Sequence, residues 1–204
     1  MLNFNKRILI ICEDKKSSKL YFEAFKKDEK LKRDLASVSI EVVQPKDHSP
    51  VGLVTEAKQK KLRAKRDRNP YNEIWIVLDK DHHANIGKAF NMAYANKFKI
   101  ALSVICFEYW VLLHFEKTCK PFTKYDAIIS YIRKHHFSDY LKSDNVYIDL
   151  KDKVNVAIKN GKWVVRQNKN DIERGHKLYE LAAYTDVHIL VERLLKPKEF
   201  ILRS

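Results

Sequence analysis

The sequence is poor in cysteine, glycine, proline and long apolar runs, and each shortage removes a class of protein. Its three cysteines, Cys12, Cys106 and Cys119, are scattered through 204 residues, and none sits in a C-x-x-C pair. That spacing argues against a disulfide framework or a zinc ribbon and for a reducing, cytoplasmic setting. Four glycines could hardly build a phosphate-cradling loop, and neither G-x-G-x-x-G nor G-x-x-x-x-G-K-[ST] occurs, so any nucleotide hydrolysis would have to come from a partner. A G-x-S-x-G elbow is also missing, and Cys12 and Cys106 read as packing residues at strand ends. No apolar run approaches the ~20 residues of a membrane span, so no integral membrane protein is expected. The opening MLNFNKRILIICEDKK has a short apolar run that ends in acid, which is not the pattern of a signal peptide.

Acid is in deficit too. Against 26 Asp plus Glu stand 40 Lys plus Arg, a formal net charge of +14. Such an excess draws polyanions, nucleic acid first and anionic membrane surfaces second. A Lys-, Asn-, Ile- and Tyr-rich composition also follows from an AT-biased genome, so charge alone is a loose guide. The hydrophobic share of 45% is ordinary for a globular protein, and the length suits one domain with a helical annex.

What is present is an alternation of strand-like and helix-like segments. Arg7–Cys12 is a β-branched run typical of a strand buried on both faces. Ser17 and Ser18 offer a helix start, with Leu20, Tyr21, Ala24 and Phe25 on one face. Val38–Val43 reads as a second strand, and Ser49-Pro50 opens a helix that runs to about Arg68. Ile74–Leu78 and Ile100–Val104 are further strands. Helices are expected over Ala84–Asn96, with Ile86, Ala89, Phe90 and Ala93 inward, and over Phe107–Phe115. The pattern implies an α/β fold with a mainly parallel sheet flanked by helices. After about Pro121 only helices are expected: Thr123–His135, Leu150–Gln167 and Asp186–Leu195. The organisation is therefore read as an α/β core over residues 1–120 and a helical annex over 121–204.

The acids gather where such a sheet places its functional groups, at the carboxyl ends of strands. Glu13 and Asp14 follow the first strand, Asp79 and Asp81 the third, and Glu108 lies just past the fourth. Carboxylates converging from separate strands suit Mg²⁺ or Mn²⁺, which prefer oxygen ligands, and a metal there could polarise a phosphodiester. A lone D-x-D recurs by chance and a single Asp after a strand is often a cap. Glu at the end of one buried strand with D-x-D at the end of another is far more specific, and it is the spacing of a TOPRIM site.

Four strings extend that likeness. ILIICEDKKSSKLYFEAF, VLDKDHHANIGKAFNMA, ALSVICFEYWVLLHFE and YTDVHILVERL resemble the corresponding blocks of the RloB family. The resemblance implies a TOPRIM-type fold and a presumed Mg²⁺-dependent nuclease of prokaryotic anti-phage, abortive-infection loci, encoded beside an ABC/SMC-type ATPase. It makes Glu13, Asp79 and Asp81 the metal ligands and catalytic acids, and Glu108 a fourth catalytic acid close to them, assisting a metal or the attacking water. Lys16, His83 and His114 become accessory candidates. Nucleic acid is the implied partner, an ATPase and a second copy of the chain are further ones, and a membrane is not.

This chain departs from the family pattern at three places. Asp14 stands where the family favours Gly, Ser17-Ser18 where it has T-E, and Val104-Ile105 where N-P would turn the chain. The third change is expected to extend the strand. Together they leave a second reading open, a catalytically inactive TOPRIM module that binds nucleic acid or the ATPase.

The densest base is Lys58–Arg68, with seven basic residues and one acid. On the expected helix Lys60, Lys61, Arg63, Lys65, Arg66 and Arg68 cover the surface outside a Val54, Ala57 and Leu62 face. Such a helix can neutralise several phosphates, though its last turns also complement the helix dipole. The ten Tyr and ten Phe fall mostly at core-like spacing, Phe90, Phe98, Phe107 and Phe115 among them, as do Trp75 and Trp110.

Overall fold

The computed structural model describes residues 6–80, 85–141 and 145–196, with the side chains of Arg33 and Asp34 excepted. Asp81 and His83 therefore lie outside the described residues. Four strands, β1 (Lys6–Cys12), β2 (Val38–Val43), β3 (Glu73–Asp79) and β4 (Lys99–Ser103), form one parallel sheet in the order β2-β1-β3-β4. The two central strands hold the two continuous apolar runs: Ile8–Cys12 and Ile74–Leu78 are buried residue by residue. A strand with neighbours on both edges and helices on both faces has no face left for polar residues, so it cannot alternate. β2, at the edge, carries a mostly half-buried pattern instead.

The helices are α1 (Ser17–Phe25), α2 (Lys32–Leu35), α3 (Pro50–Arg66), α4 (Ile86–Ala95), α5 (Glu108–Leu112), α6 (Tyr125–His135), α7 (Tyr147–Leu150), α8 (Val154–Gln167), α9 (Lys169–Glu173) and α10 (Val187–Leu195). α3 starts as its sequence requires. Ser49 Oγ accepts the Gly52 N–H at 3.1 Å and Pro50 takes the first helical position, where a missing N–H costs nothing. α4 buries the four residues expected on its inner face. α5 is shorter than its apolar pattern implies, because every residue of Glu108–Leu113 is buried and periodicity cannot mark its end.

Two local expectations fail. Leu62 does not join the buried face of α3 but is 67% exposed, and Ala64 is buried in its place. Val104-Ile105 does not extend β4. The strand stops at Ser103, the Val104 N–H leaves the sheet for Tyr184 O at 2.8 Å, and Ile105 turns the chain with φ of 75°. A β-branched residue rarely holds that conformation. The turn is imposed from both sides, by the pairing of Val104 before it and by the buried Cys106–Leu113 segment after it.

The second half of the chain closes the outer edge of β4. Thr185 bridges Ser103 in antiparallel sense, the Asp186 N–H donates to Leu102 O at 3.1 Å, and Asp186 Oδ1 accepts the Leu102 N–H at 2.6 Å. An edge strand left open is a template for unwanted pairing, and this short segment covers it. α10 then packs on β4 and α8.

Candidate active site

Strand order decides where the site lies. The chain leaves β1 for β2 on one side and returns to β3 on the other, so the winding reverses between β1 and β3. Beyond the carboxyl ends of those two strands the flanking connections diverge and leave a crevice. Glu13 and Asp79 occupy that place. The Glu13 N–H continues the ladder to Val77 O at 3.2 Å, and its Oε2 accepts the Asp79 N–H at 2.8 Å. One carboxylate thus reaches across the crevice to the backbone of the residue that carries the other.

Asp14 turns its carboxylate to the start of α1. Its Oδ1 accepts the Lys16 N–H at 2.8 Å and the Ser18 N–H at 3.2 Å, while Ser18 Oγ donates to Oδ2 at 3.1 Å. The extra negative charge is spent on the first turn of α1, where orphan N–H groups and the helix dipole favour it. The two departures, Asp14 and Ser18, are therefore partners, and the turn needs no left-handed residue: Arg68, Lys97 and Ile105 are the non-glycine residues with positive φ among those described. Lys16 lies exposed in the same loop.

Glu108 approaches from inside the protein. It is wholly buried at the start of α5, and its Oε1 accepts from Ser17 Oγ at 2.6 Å and from Tyr140 OH at 3.2 Å. Cys106 lies within the influence of both this acid and Asp79. Burial above all, then the charges of Glu108 and Asp79, push its thiol well above the usual range. Burial likewise raises the Cys12 thiol. Both sulfurs stay protonated and are poor metal ligands. The donors left at the strand ends are carboxylate oxygens, which fit a hard cation such as Mg²⁺. Among the described residues no group of three His, Cys, Asp or Glu side chains is arranged to hold a metal. The expected third ligand, Asp81, is outside them, so Glu13 and Asp79 are the two whose approach is seen.

His114 is elsewhere. Its Nδ1 donates to Trp110 O at 3.0 Å and its Nε2, at 3.3 Å, accepts from Tyr21 OH within a cluster of edge-to-face aromatic rings. Burial depresses its pKa to about 4, so it is a neutral core histidine.

The basic helix is divided by its contacts. Lys60 is tied to Glu41 at 2.8 Å, and the Lys61 ammonium donates to Asn96 O at 2.9 Å. Arg63, Lys65, Arg66 and Arg68 are exposed. These four lie at the amino edge of the sheet: the Asn69 carbonyl accepts from the Arg7 side chain, and the Asn72 N–H donates to Arg7 O. Arg7 to Glu13 is the length of β1, about 20 Å at ~3.3 Å per residue. The basic end and the acids therefore stand at opposite ends of the strands.

A residue that sequence patterns passed over stands beside the acids. His48, in the loop between β2 and α3, places Nδ1 2.9 Å from Glu13 O. The only local signal was its place after a strand end in the stretch DHSP, which reads as an ordinary turn and helix start.

The chain matches no curated protein and no solved structure. A family model described as RloB-like protein matches residues 8–194, from the first buried residue of β1 to the last turn of α10. The matched stretch includes the crevice acids, the Val104–Cys106 turn and the segment that closes β4, and by it the chain belongs to the RloB-like family.

Proposed function

We propose that this protein is a Mg²⁺- or Mn²⁺-dependent nuclease of TOPRIM type, acting in prokaryotic anti-phage defence. The observation that carries the reading is the Glu13 carboxylate held on the Asp79 N–H across the β1/β3 crevice. It joins acids from two parallel strands at the place where such sheets put their chemistry. Hydrolysis of a phosphodiester forms one P–O bond from water and breaks one ester P–O bond. A base must take a proton from the water, and the leaving oxygen must gain one. Glu13 and Asp79, with Asp81, would hold the cation, and Glu13 would also accept the water's proton. The cation would supply charge neutralisation at the phosphate and a more acidic bound water. Glu108, buried against Ser17 and Tyr140, supports the crevice from behind.

The test is cleavage of plasmid DNA and of tRNA with Mg²⁺ by the wild type, Asp79→Ala and Asp81→Ala. Both substitutions should abolish cleavage and leave the folded state intact by circular dichroism. Cleavage that persists in the double variant overturns the assignment.

A second reading, a catalytically silent module that binds nucleic acid or a partner ATPase, is favoured by the hydrogen bonds that tie the Asp14 carboxylate to Lys16 and Ser18. Calorimetric titration with Mn²⁺ separates the two, since carboxylate-dependent binding belongs to the enzyme alone. No described helix is long and apolar enough to cross a membrane. A cytoplasmic protein that meets its nucleic-acid substrate directly is the setting this reading requires.

A further inference from the structure

We infer that His48 is a positioning residue for Glu13, contributed by the edge strand's connection. This rests on the metal-dependent reading of the crevice. The Glu13 backbone is pinned at both ends: its N–H to Val77 O on β3, its carbonyl by the His48 ring at 2.9 Å. A carbonyl only accepts, so His48 Nδ1 carries the proton. The Gln44 amide nitrogen lies nearly equidistant from the two ring nitrogens, 3.3 Å from Nδ1 and 3.4 Å from Nε2, so it rests against the ring and not in line with the Nε2 lone pair. The contact that fixes a geometry is the one from Nδ1 to the Glu13 carbonyl.

The loop that carries the ring is itself held. Asp47 Oδ1 accepts the Ser49 N–H at 2.9 Å, Ser49 caps α3 through Gly52, and a Cβ on Gly52 would stand 2.3 Å from the Asp47 carboxyl carbon. Glycine at 52 is what lets the Asp47 turn close over the helix start. The chain Gln44, His48, Glu13, Asp79 therefore links the ends of β2, β1 and β3 and sets the direction in which the Glu13 carboxylate leaves the backbone. Groups that orient a metal ligand without touching the metal commonly change metal affinity or activity about 10–100-fold when lost.

The experiment is calorimetric titration of the full chain with Mn²⁺, alongside thermal melting, for the wild type and three variants. His48→Ala removes the donor and should weaken Mn²⁺ binding by at least about tenfold, as an orienting residue does. His48→Asn places an amide N–H where Nδ1 was and should restore most of that affinity. His48→Gln fills the volume of the ring but carries its amide at the Nε2 position, and it should behave as His48→Ala even if that variant fails to fold. Rescue by Asn and not by Gln is a pattern that loss of bulk packing does not produce. Unchanged Mn²⁺ affinity in a folded His48→Ala or His48→Gln overturns the inference and leaves the nuclease reading standing. A wild type that binds no Mn²⁺ overturns both.

Discussion

Ser17 donates its hydroxyl proton to Glu108 at 2.6 Å, joining the first turn of α1 to the first residue of α5 across 91 residues of chain. Both residues are at most 1% exposed, and Tyr140 is the other hydroxyl on the same oxygen. A buried acceptor stripped of its donor costs about 1–3 kcal/mol. Ser17→Ala should therefore lower unfolding free energy by that amount in urea titrations, with Tyr140→Phe doing less because its bond is longer. If Ser17→Ala proves as stable as the wild type, Glu108 is held by its other contacts alone.

Asp186 predicts a pH dependence. Burial raises its pKa to about 7, against the hydrogen bonds from Leu102 and Tyr184 that pull it down. The folded state holds this proton more tightly than the unfolded chain, so its contribution to stability is full below pH ~4, falls through the range up to about 7, and is flat above. The loss is on the order of 4 kcal/mol. His114 and His188, depressed to about 4 by burial, act the other way, losing stability as pH falls from ~6.5. The Asp186 effect is therefore read as a difference. Asp186→Asn keeps an acceptor for the Leu102 N–H and should gain on the wild type steadily between pH ~4 and ~7, measured by denaturant unfolding. A pH-independent difference would remove Asp186 as the titrating group.

Ile105 holds φ of 75° and is half-buried against the core. The left-handed region costs a residue with a Cβ about 1–2 kcal/mol, and glycine almost nothing. Truncating Ile105 to Ala loses the side chain and keeps the strain, whereas Gly loses both. Ile105→Gly should thus be more stable than Ile105→Ala by about 1 kcal/mol, the reverse of the usual order. Thermal melts of the two variants decide it.

The exposed basic end of α3 lies about 20 Å from the crevice along β1. A single nucleotide cannot touch both; an extended nucleic acid can. Replacing Arg63, Lys65, Arg66 and Arg68 by Gln should weaken binding of a duplex of about 20 base pairs and flatten its salt dependence by about 0.9 for each phosphate no longer neutralised. Mn²⁺ affinity should not change. If duplex affinity and salt slope both hold, this face of α3 takes no part in binding.

Much of the fold was legible in the chain, and the reason is locality. Continuous β-branched runs flanked by caps marked β1 and β3, and Ser49-Pro50 marked the start of α3, because each signal is set by neighbours a few residues apart. The acids could be placed at strand ends for the same reason. Leu62 and Val104-Ile105 were misjudged where partners distant in sequence decide. Whether a helix position near a terminus is covered depends on what packs there, and β4 ends where Tyr184 takes a backbone N–H that a longer strand would have used.

The sequence by itself determined that this is an α/β chain of the RloB-like kind, with Glu13 and Asp79 at the ends of two buried strands and its base gathered on a helix. Only the tertiary structure decided what those groups do to one another. Strand order made Glu13 and Asp79 neighbours across 66 residues, brought His48 from 35 residues away onto the Glu13 carbonyl, and turned His114 inward. It also set the basic end of α3 at the far edge of the sheet. A parallel connection must run back along the strands before the next one starts, so the end of a crossover helix always lies opposite the carboxyl edge. The densest run of base in the sequence therefore stands at the opposite end of the strands from Glu13 and Asp79.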